Sequence, residues 1–302
     1  MPELPEVEVV RRGADTWFAN RRIRSVQVLH SRATRRHLHG PHDFSARLIN
    51  ARIVGTERRG KYFWFRLDTG EALVTHLGMS GQLRVASPAS PGTNHLRVRI
   101  GFDDDRDDLM FIDQRTFGGM FVDDFVEVPY PSAKRDPGRA SRNAGFEVPA
   151  ALSHIAADPF DPLFDQSATV RRIRAKQSPI KAVILDQSVV SGIGNIYADE
   201  SLWRTQLDWQ RSAATVSRSK VIELIDNARE VMSEALAAGG TSFDSLYVNV
   251  NGSSGYFSRS LAVYGREGQP CERCGGPISR EHFANRSSFR CPRCQRRAPA
   301  TV

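Results

Sequence analysis

The stretch Tyr62–Leu77, YFWFRLDTGEALVTHL, reads as two short strands, Tyr62 to Leu67 and Ala72 to Leu77, around an Asp68-Thr69-Gly70 turn. The four residues Tyr62, Phe63, Trp64 and Phe65 read as core, and His76 as a hydrogen-bonded structural histidine. Further strands flank this hairpin. Ile23 to Leu29 alternates around Val26 and Val28, and His95 to Phe102 puts Leu96, Val98, Ile100 and Phe102 on one face with Arg97 and Arg99 on the other. The acidic run Asp103 to Asp108 reads as a solvated hairpin tip before a strand over Leu109 to Ile112. Many short strands with turn punctuation predict a β-sandwich or barrel. A helix precedes them. Pro5 suits its first turn, Glu6 and Glu8 suit the positive end of its dipole, and Val7, Val10 and Trp17 supply an apolar face with Arg11 and Arg12 turned away.

Beyond Val128 the composition changes. Pro129, Pro131, Pro137, Gly138 and Gly145 mark a connection, and the pattern that follows is helical. Ser178-Pro179 predicts the start of a helix through Lys181 to Leu185. Val221, Leu224, Ile225, Ala228, Val231, Met232 and Leu236 recur at helical spacing until Gly239-Gly240 stops them. The expected organisation is an α+β multidomain chain. An N-terminal β-sandwich with its helix spans 1–128, a hinge 129–149, a helical domain 150–261 and a Cys-rich end 262–302.

The 302 residues are 40% hydrophobic and 25% charged, which excludes wholesale disorder. Forty-two Lys and Arg against 34 Asp and Glu give +8 and a pI near 9.7, a balance that favours a polyanionic partner. No apolar run approaches membrane-spanning length, and MPELPEVEVVRRG is acidic where a signal peptide is basic. These features predict a soluble intracellular protein with no membrane partner. All four cysteines lie in the last 32 residues, as Cys271-x2-Cys274 and Cys291-x2-Cys294 with sixteen residues between the pairs. Two such knuckles complete a tetrahedral four-sulfur site, so one structural zinc ion is expected. Eight arginines and three glutamates share residues 261–302, so the zinc-stapled hairpin is read as presenting Arg286, Arg290 and Arg293 to phosphates.

The N-terminus has chemical potential of its own. Loss of Met1 makes Pro2 a secondary α-amine whose pKa lies well below that of lysine, so more of it is free base at neutral pH. Such an amine attacking an anomeric carbon gives a cationic iminium that acidifies the neighbouring carbon, and Glu3 stands beside it as a candidate general acid. Read alone, a Met-Pro start carries little weight. Five ordered motifs change that. Met1 to Glu8 (MPELPEVE) resembles the hallmark start of the formamidopyrimidine-DNA glycosylase family. Gly60-Lys61-Tyr62 resembles its lysine loop, and His76 to Gly81 matches its HLGMSG segment. IKAVILDQSVVSGIGNIYADE (Ile180 to Glu200) is similar to its helix–two-turns–helix element, and the terminal cysteines to its zinc finger.

The resemblance implies a base-excision-repair glycosylase and abasic-site lyase that removes oxidised purines, 8-oxoguanine and formamidopyrimidines, from duplex DNA. Pro2 would be the nucleophile, Glu3 would protonate the sugar ring oxygen, and Glu6 would support them. Lys61 would act in β-elimination. Arg286 would act in δ-elimination, chiefly by clamping phosphate. Met79, Arg115 and Phe117 would fill the gap left by the extruded nucleotide, with Arg115 reading the orphaned base. Phosphate contacts would come from His95, Lys176, Lys181 and Asn195, the last on a Gly192-Ile193-Gly194 turn. The segment Gly239 to Gly255, with Tyr247 and Asn249, would cover the flipped base. The family usually reads Asp-Pro-Arg-Arg-Phe-Gly in the gap-filling loop, whereas this chain has Asp113-Gln114-Arg115-Thr116-Phe117-Gly118. A proline and an arginine are thus missing there. A sister glycosylase for oxidised pyrimidines typically begins MPEGPE, against Leu4 here, and a non-catalytic damage sensor would not need the four catalytic residues. A monomer in the bacterial cytoplasm, associated with the nucleoid through double-stranded DNA, completes the expectation.

Overall fold

The computed structural model describes residues 2–128, 146–240 and 261–297, which fall into two compact units. The first extends to His154 and includes Gly239 and Gly240; the second holds the described residues from Ile155 to Ala238 and from Leu261 onward.

The first unit opens with α1 (Leu4–Phe18). Its buried stripe is Val7, Val10, Ala14 and Phe18, while Trp17 is 39% exposed. Steps of three and four residues keep one face of a helix with 3.6 residues per turn, and Trp17 falls about 100° off that face. Arg11 also differs from expectation, since it donates to Glu8 and to the Thr56 hydroxyl.

There follow β1 (Ile23–Val28), α2 (Gly40–Leu48), β2 (Ile53–Arg59), β3 (Tyr62–Leu67), β4 (Glu71–His76), β5 (Gly81–Ala86), β6 (Leu96–Phe102), β7 (Asp108–Asp113), β8 (Gly119–Val128) and β9 (Phe146–Pro149). They form an antiparallel four-stranded sheet, β1-β6-β7-β5, and an antiparallel five-stranded sheet, β2-β3-β4-β8-β9. Phe63, Phe65 and Leu73 from one sheet and Val98, Ile100 and Phe111 from the other share a single core with Phe18 of α1. This is a β-sandwich closed by a helix. The expected hinge loses its last residues to β9, where Val148 pairs with Val126; residues 129–145 lie outside those described.

Strand period two corrects the aromatic run. Phe63 and Phe65 enter the core, whereas Trp64 is buried on the opposite face with its indole N–H donating to Glu57 Oε2 at 3.2 Å. Tyr62 stacks on His76 with ring centroids 4.6 Å apart. The acidic tip is likewise more than a solvated turn. Buried Arg21 donates to both Asp104 oxygens at 2.7 and 2.8 Å, and Arg99 to Asp108 at 2.7 Å. Guanidinium groups pin it to the sheet.

The second unit contains α3 (Gln166–Arg174), α4 (Ile180–Leu185), α5 (Asn195–Arg204), α6 (Arg218–Ala237) and a hairpin of β10 (Ser279–Phe283) and β11 (Arg286–Arg290). Ser217 caps α6, accepting the Lys220 N–H at 3.2 Å. Ser178 does not cap α4. Pro179 occupies that position, and Ser178 instead accepts the Ala213 N–H at 3.0 Å through its carbonyl. A residue before proline is biased toward extended backbone, which sets the helix start one residue later. Among the described residues, no helix is long and apolar enough to cross a membrane.

Candidate active site and nucleic-acid interface

The start of α1 gathers three of the predicted residues. Pro2, Glu3 and Glu6 are all buried, the two carboxylates 2% and 6% exposed. Glu6 Oε2 accepts the backbone N–H of Glu3 at 2.9 Å, so Glu6 fixes the backbone that carries Glu3 and Pro2. Gly240, at φ +93°, lies against Glu6: a β-carbon there would sit 3.6 Å from its Cγ. Lys61 follows Gly60, whose φ of +58° makes the β2–β3 turn, and is itself buried. One guanidinium joins the two elements. Arg58 donates to Glu8 Oε2 at 3.0 Å and to the Gly60 carbonyl at 2.9 Å, gripping α1 and the lysine turn together. Burial would push the Glu8 carboxyl up, but hydrogen bonds from Arg11 and Arg12 and the charge of Arg58 bring it down to about 2.

The residues expected to fill the gap, Met79, Arg115 and Phe117, sit on two turns that meet backbone to backbone. Gly78, at φ +64°, and Gly118 touch so closely that neither site has room for a side chain. Ser80 donates to Asp113 Oδ1 at 2.5 Å, and Asp113 accepts the N–H groups of Arg115 at 3.2 Å and Gly118 at 2.8 Å. The outcome is half-buried Met79 beside exposed Arg115 and Phe117, with the Arg115 guanidinium 5.0 Å from the Phe117 ring centroid. His95 adjoins this loop, its carbonyl accepting the Asp113 N–H at 2.9 Å. His76 differs from the expected hydrogen-bonded histidine: its Nδ1 is buried and has no partner among the described residues. Burial, aided by the charges of Arg36, Lys61 and Arg35, lowers its pKa to about 4, leaving a neutral imidazole.

In the second unit the predicted phosphate contacts separate. Lys176 is exposed. Lys181 is fully buried, its ammonium 2.7 Å from Asp199 Oδ1. Asp199 also accepts from the Ser288 hydroxyl and the Phe289 N–H, each at 2.9 Å, and Asn195 donates to the Ser287 carbonyl at 2.9 Å. The two-turn element therefore holds strand β11 in register and, at its exposed end, Arg286. Burial pushes the Asp199 carboxyl up to about 6, against the pull of Lys181. Arg293 is exposed, but Arg290 is not a free phosphate ligand: it is buried against Glu281 at 2.8 Å and Asp208 at 3.3 Å. Residues 286, 288 and 290 share one strand face, and only its open end reaches water. Tyr247 and Asn249 lie outside the described residues.

The four cysteine sulfurs lie within 4.8 Å of one another, with Cys271–Cys294 at 3.9 Å and Cys274–Cys291 at 3.4 Å. A tetrahedron with Zn–S bonds of about 2.3 Å has edges of about 3.8 Å, so the donor set fits one structural zinc. The Trp203 indole N–H points at Cys271 Sγ from 3.4 Å, the kind of outer donor that steadies a metal-bound thiolate.

Sequence reasoning named the candidate groups and missed those that hold them in place: Arg58, Asp113, Asp199, and Arg35, which donates to loop carbonyls. Glu200 belongs with these, since its carboxylate accepts the N–H groups of residues 262–264. No residue type marks such contacts, although Asp199 and Glu200 at the end of the two-turn motif, and Asp113 at the start of the Asp113–Gly118 loop, are the acids to look at.

Buried carboxylates gathered beside Pro2, and an exposed Arg115–Phe117 pair beside Met79, are the features that the resemblance to a DNA glycosylase leads one to expect. The class that these features fit is a DNA glycosylase, and the comparisons with known proteins agree. The family description "Formamidopyrimidine-DNA glycosylase N-terminal domain" matches residues 1–120, the corresponding H2TH domain matches 155–246, and "Zinc finger found in FPG and IleRS" matches 268–297. A formamidopyrimidine-DNA glycosylase of Mycolicibacterium gilvum is 56% identical over 297 residues, covering 98% of this chain and 99% of the relative. That of Streptomyces coelicolor is 52% identical over 298 residues, covering 98% of each. The solved complex between Lactococcus lactis Fpg and DNA containing an abasic site superposes with a TM-score of 0.82 at 28% identity, covering 98% of this chain and 100% of that one. MutM in complex with DNA containing carbocyclic 8-oxo-G gives a TM-score of 0.80 at 28% identity with the same coverage. The chain belongs to the formamidopyrimidine-DNA glycosylase family.

Proposed function

We propose that this chain excises oxidised purines, 8-oxoguanine and formamidopyrimidines, from double-stranded DNA and then cuts the strand at the resulting abasic site. The observation that carries this reading is the junction at α1, where Arg58 links the helix that bears Glu6 and directly follows Pro2 and Glu3 to the turn bearing Lys61. Once Met1 is removed, the Pro2 nitrogen attacks C1′ of the damaged nucleoside. The bond to the base breaks, Glu3 delivers a proton to the ring oxygen, and an iminium remains. That cation draws electrons from the C2′–H bond. Proton removal there, assisted by Lys61, expels the 3′ phosphate, and a second elimination expels the 5′ phosphate with Arg286 stabilising its charge. Met79, Arg115 and Phe117 occupy the vacated stack, while His95, Lys176 and Asn195 hold the phosphates. Zinc keeps the Arg286 hairpin folded and takes no part in the reaction. The enzyme acts as a monomer in the bacterial cytoplasm, at the nucleoid.

The test is single-turnover cleavage of duplexes carrying 8-oxoguanine opposite cytosine or 5-hydroxycytosine opposite guanine. Faster processing of 8-oxoguanine is expected. Faster processing of the pyrimidine would favour the sister activity, and binding without cleavage of either would favour a damage sensor.

A further inference from the structure

The loop from Asp113 to Gly118 departs from the family pattern at the two positions where that pattern places proline and arginine, yet its backbone is held from two sides. Asp113 takes the N–H groups of Arg115 and Gly118 from one side. On the other side lies Arg35, which no motif singled out. Its Nη1 reaches the carbonyls of Thr116 at 3.1 Å and Gly118 at 2.9 Å, and its Nη2 reaches that of Phe117 at 2.8 Å. Nη1 also meets the Arg32 carbonyl at 2.9 Å, which orients the guanidinium itself. One planar fork thus gathers three successive carbonyls. Thr116 between them has φ +54°, a left-handed conformation that β-branched residues rarely adopt and that something must hold.

We infer that Arg35 is a positioning residue for the gap-filling loop: it fixes the directions of Arg115 and Phe117 and so sets the enzyme's discrimination among bases opposite the lesion. The inference rests on the proposed reading of that loop as the element that fills the stack. Arg35 stands where loop proline would otherwise limit the backbone, but it acts from outside the loop, through carbonyls that any residue type supplies. Its effect is therefore geometric. It differs from that of a phosphate-binding arginine, which would act alike on every opposing base and raise the salt dependence of binding.

The test uses Met1-free full-length protein and measures single-turnover excision of 8-oxoguanine opposite cytosine and opposite adenine, for wild type, Arg35→Ala, Arg35→Lys and Arg115→Ala. Borohydride trapping on a single-stranded abasic oligonucleotide, which has no gap to fill, reports intact folding and chemistry. Arg35→Ala should slow excision opposite cytosine by roughly ten- to a hundredfold, the usual result of small misplacement, and shrink the cytosine-to-adenine ratio toward that of Arg115→Ala. Single-stranded trapping should stay at the wild-type level. Arg35→Lys keeps the charge without the planar fork and should lose the ratio too, which preserves the test if the alanine variant fails to fold. An unchanged ratio in both Arg35 variants, with Arg115→Ala altering it, would overturn the role of Arg35 alone. Full restoration by lysine, or an equal loss for both opposing bases with a shallower salt slope, would also overturn it. An Arg115→Ala ratio equal to wild type would sink the reading of the loop, and the inference with it.

Discussion

Gly78 and Gly118 meet so closely that a β-carbon built on Gly78 would lie 2.4 Å from the Gly118 amide nitrogen. That contact welds the turn carrying Met79 to the loop carrying Arg115 and Phe117, and it explains why the HLGMSG stretch needs glycine at its third position. Gly78→Ala adds both a clash with backbone and a side chain at φ +64°. It should lower stability by about 1–3 kcal/mol and impair cutting of damaged duplex more than trapping on single-stranded abasic DNA. Thermal melts and parallel cleavage assays check this; equal loss on both substrates would mean the weld serves only the fold.

Two lysines expected at phosphates have different fates, and the difference is measurable. Lys176→Ala should leave stability within about 0.5 kcal/mol of wild type while weakening DNA binding and reducing the salt slope by about one. Lys181→Ala strands Asp199 in the interior and should cost about 3–5 kcal/mol. Urea unfolding together with binding titrations at several salt concentrations separates the two. Normal stability in Lys181→Ala would show that the buried pair is dispensable.

His76 gives a pH dependence of definite sign. Its folded value of about 4 lies below the ordinary 6.5, so within that window the unfolded chain takes up a proton that the folded chain refuses. This group's contribution is fully retained above pH 6.5 and is lost as pH falls toward 4, by up to about 3 kcal/mol. His76→Asn should flatten the stability profile between pH 4 and 6.5, and NMR of wild type should show the imidazole still neutral at pH 5.5. A His76 titration midpoint near its ordinary value would contradict the burial argument.

Metal removal should act on the hairpin. Structural zinc in small sites contributes on the order of 10 kcal/mol to folding, so chelation should unfold residues around Cys271–Cys294 and abolish DNA binding. Native mass spectrometry should find one zinc per chain, absent in Cys294→Ala. Full binding and cleavage by zinc-free protein would refute the structural role.

Much of this was legible beforehand, and the gaps have physical causes. The hairpin of β3 and β4 and strand β6 announce themselves by alternation, as does α6 by its period. Strands β2 and β8 do not, because IVGTERR and GMFVDDFVEV mix glycine and charge, and only their neighbours in the sheet make strands of them. At the site, motifs located Pro2, Glu3, Lys61, Arg286 and the cysteines as candidates. They could not show that Lys181 and Arg290 turn inward, since only the folded packing brings Asp199 to Lys181, and Asp208 and Glu281 to Arg290. Arg35 was invisible for another reason: it binds carbonyls, which every residue has.

In the proposed reaction the Pro2 nitrogen forms the covalent intermediate. The most direct measurement is borohydride trapping of Met1-free protein on duplex DNA with one 8-oxoguanine opposite cytosine, followed by peptide mapping of the adduct. A single cross-link at residue 2 that disappears in Pro2→Gly is expected. A cross-link at Lys61 or any other amine, or an adduct that survives Pro2→Gly undiminished, would contradict it.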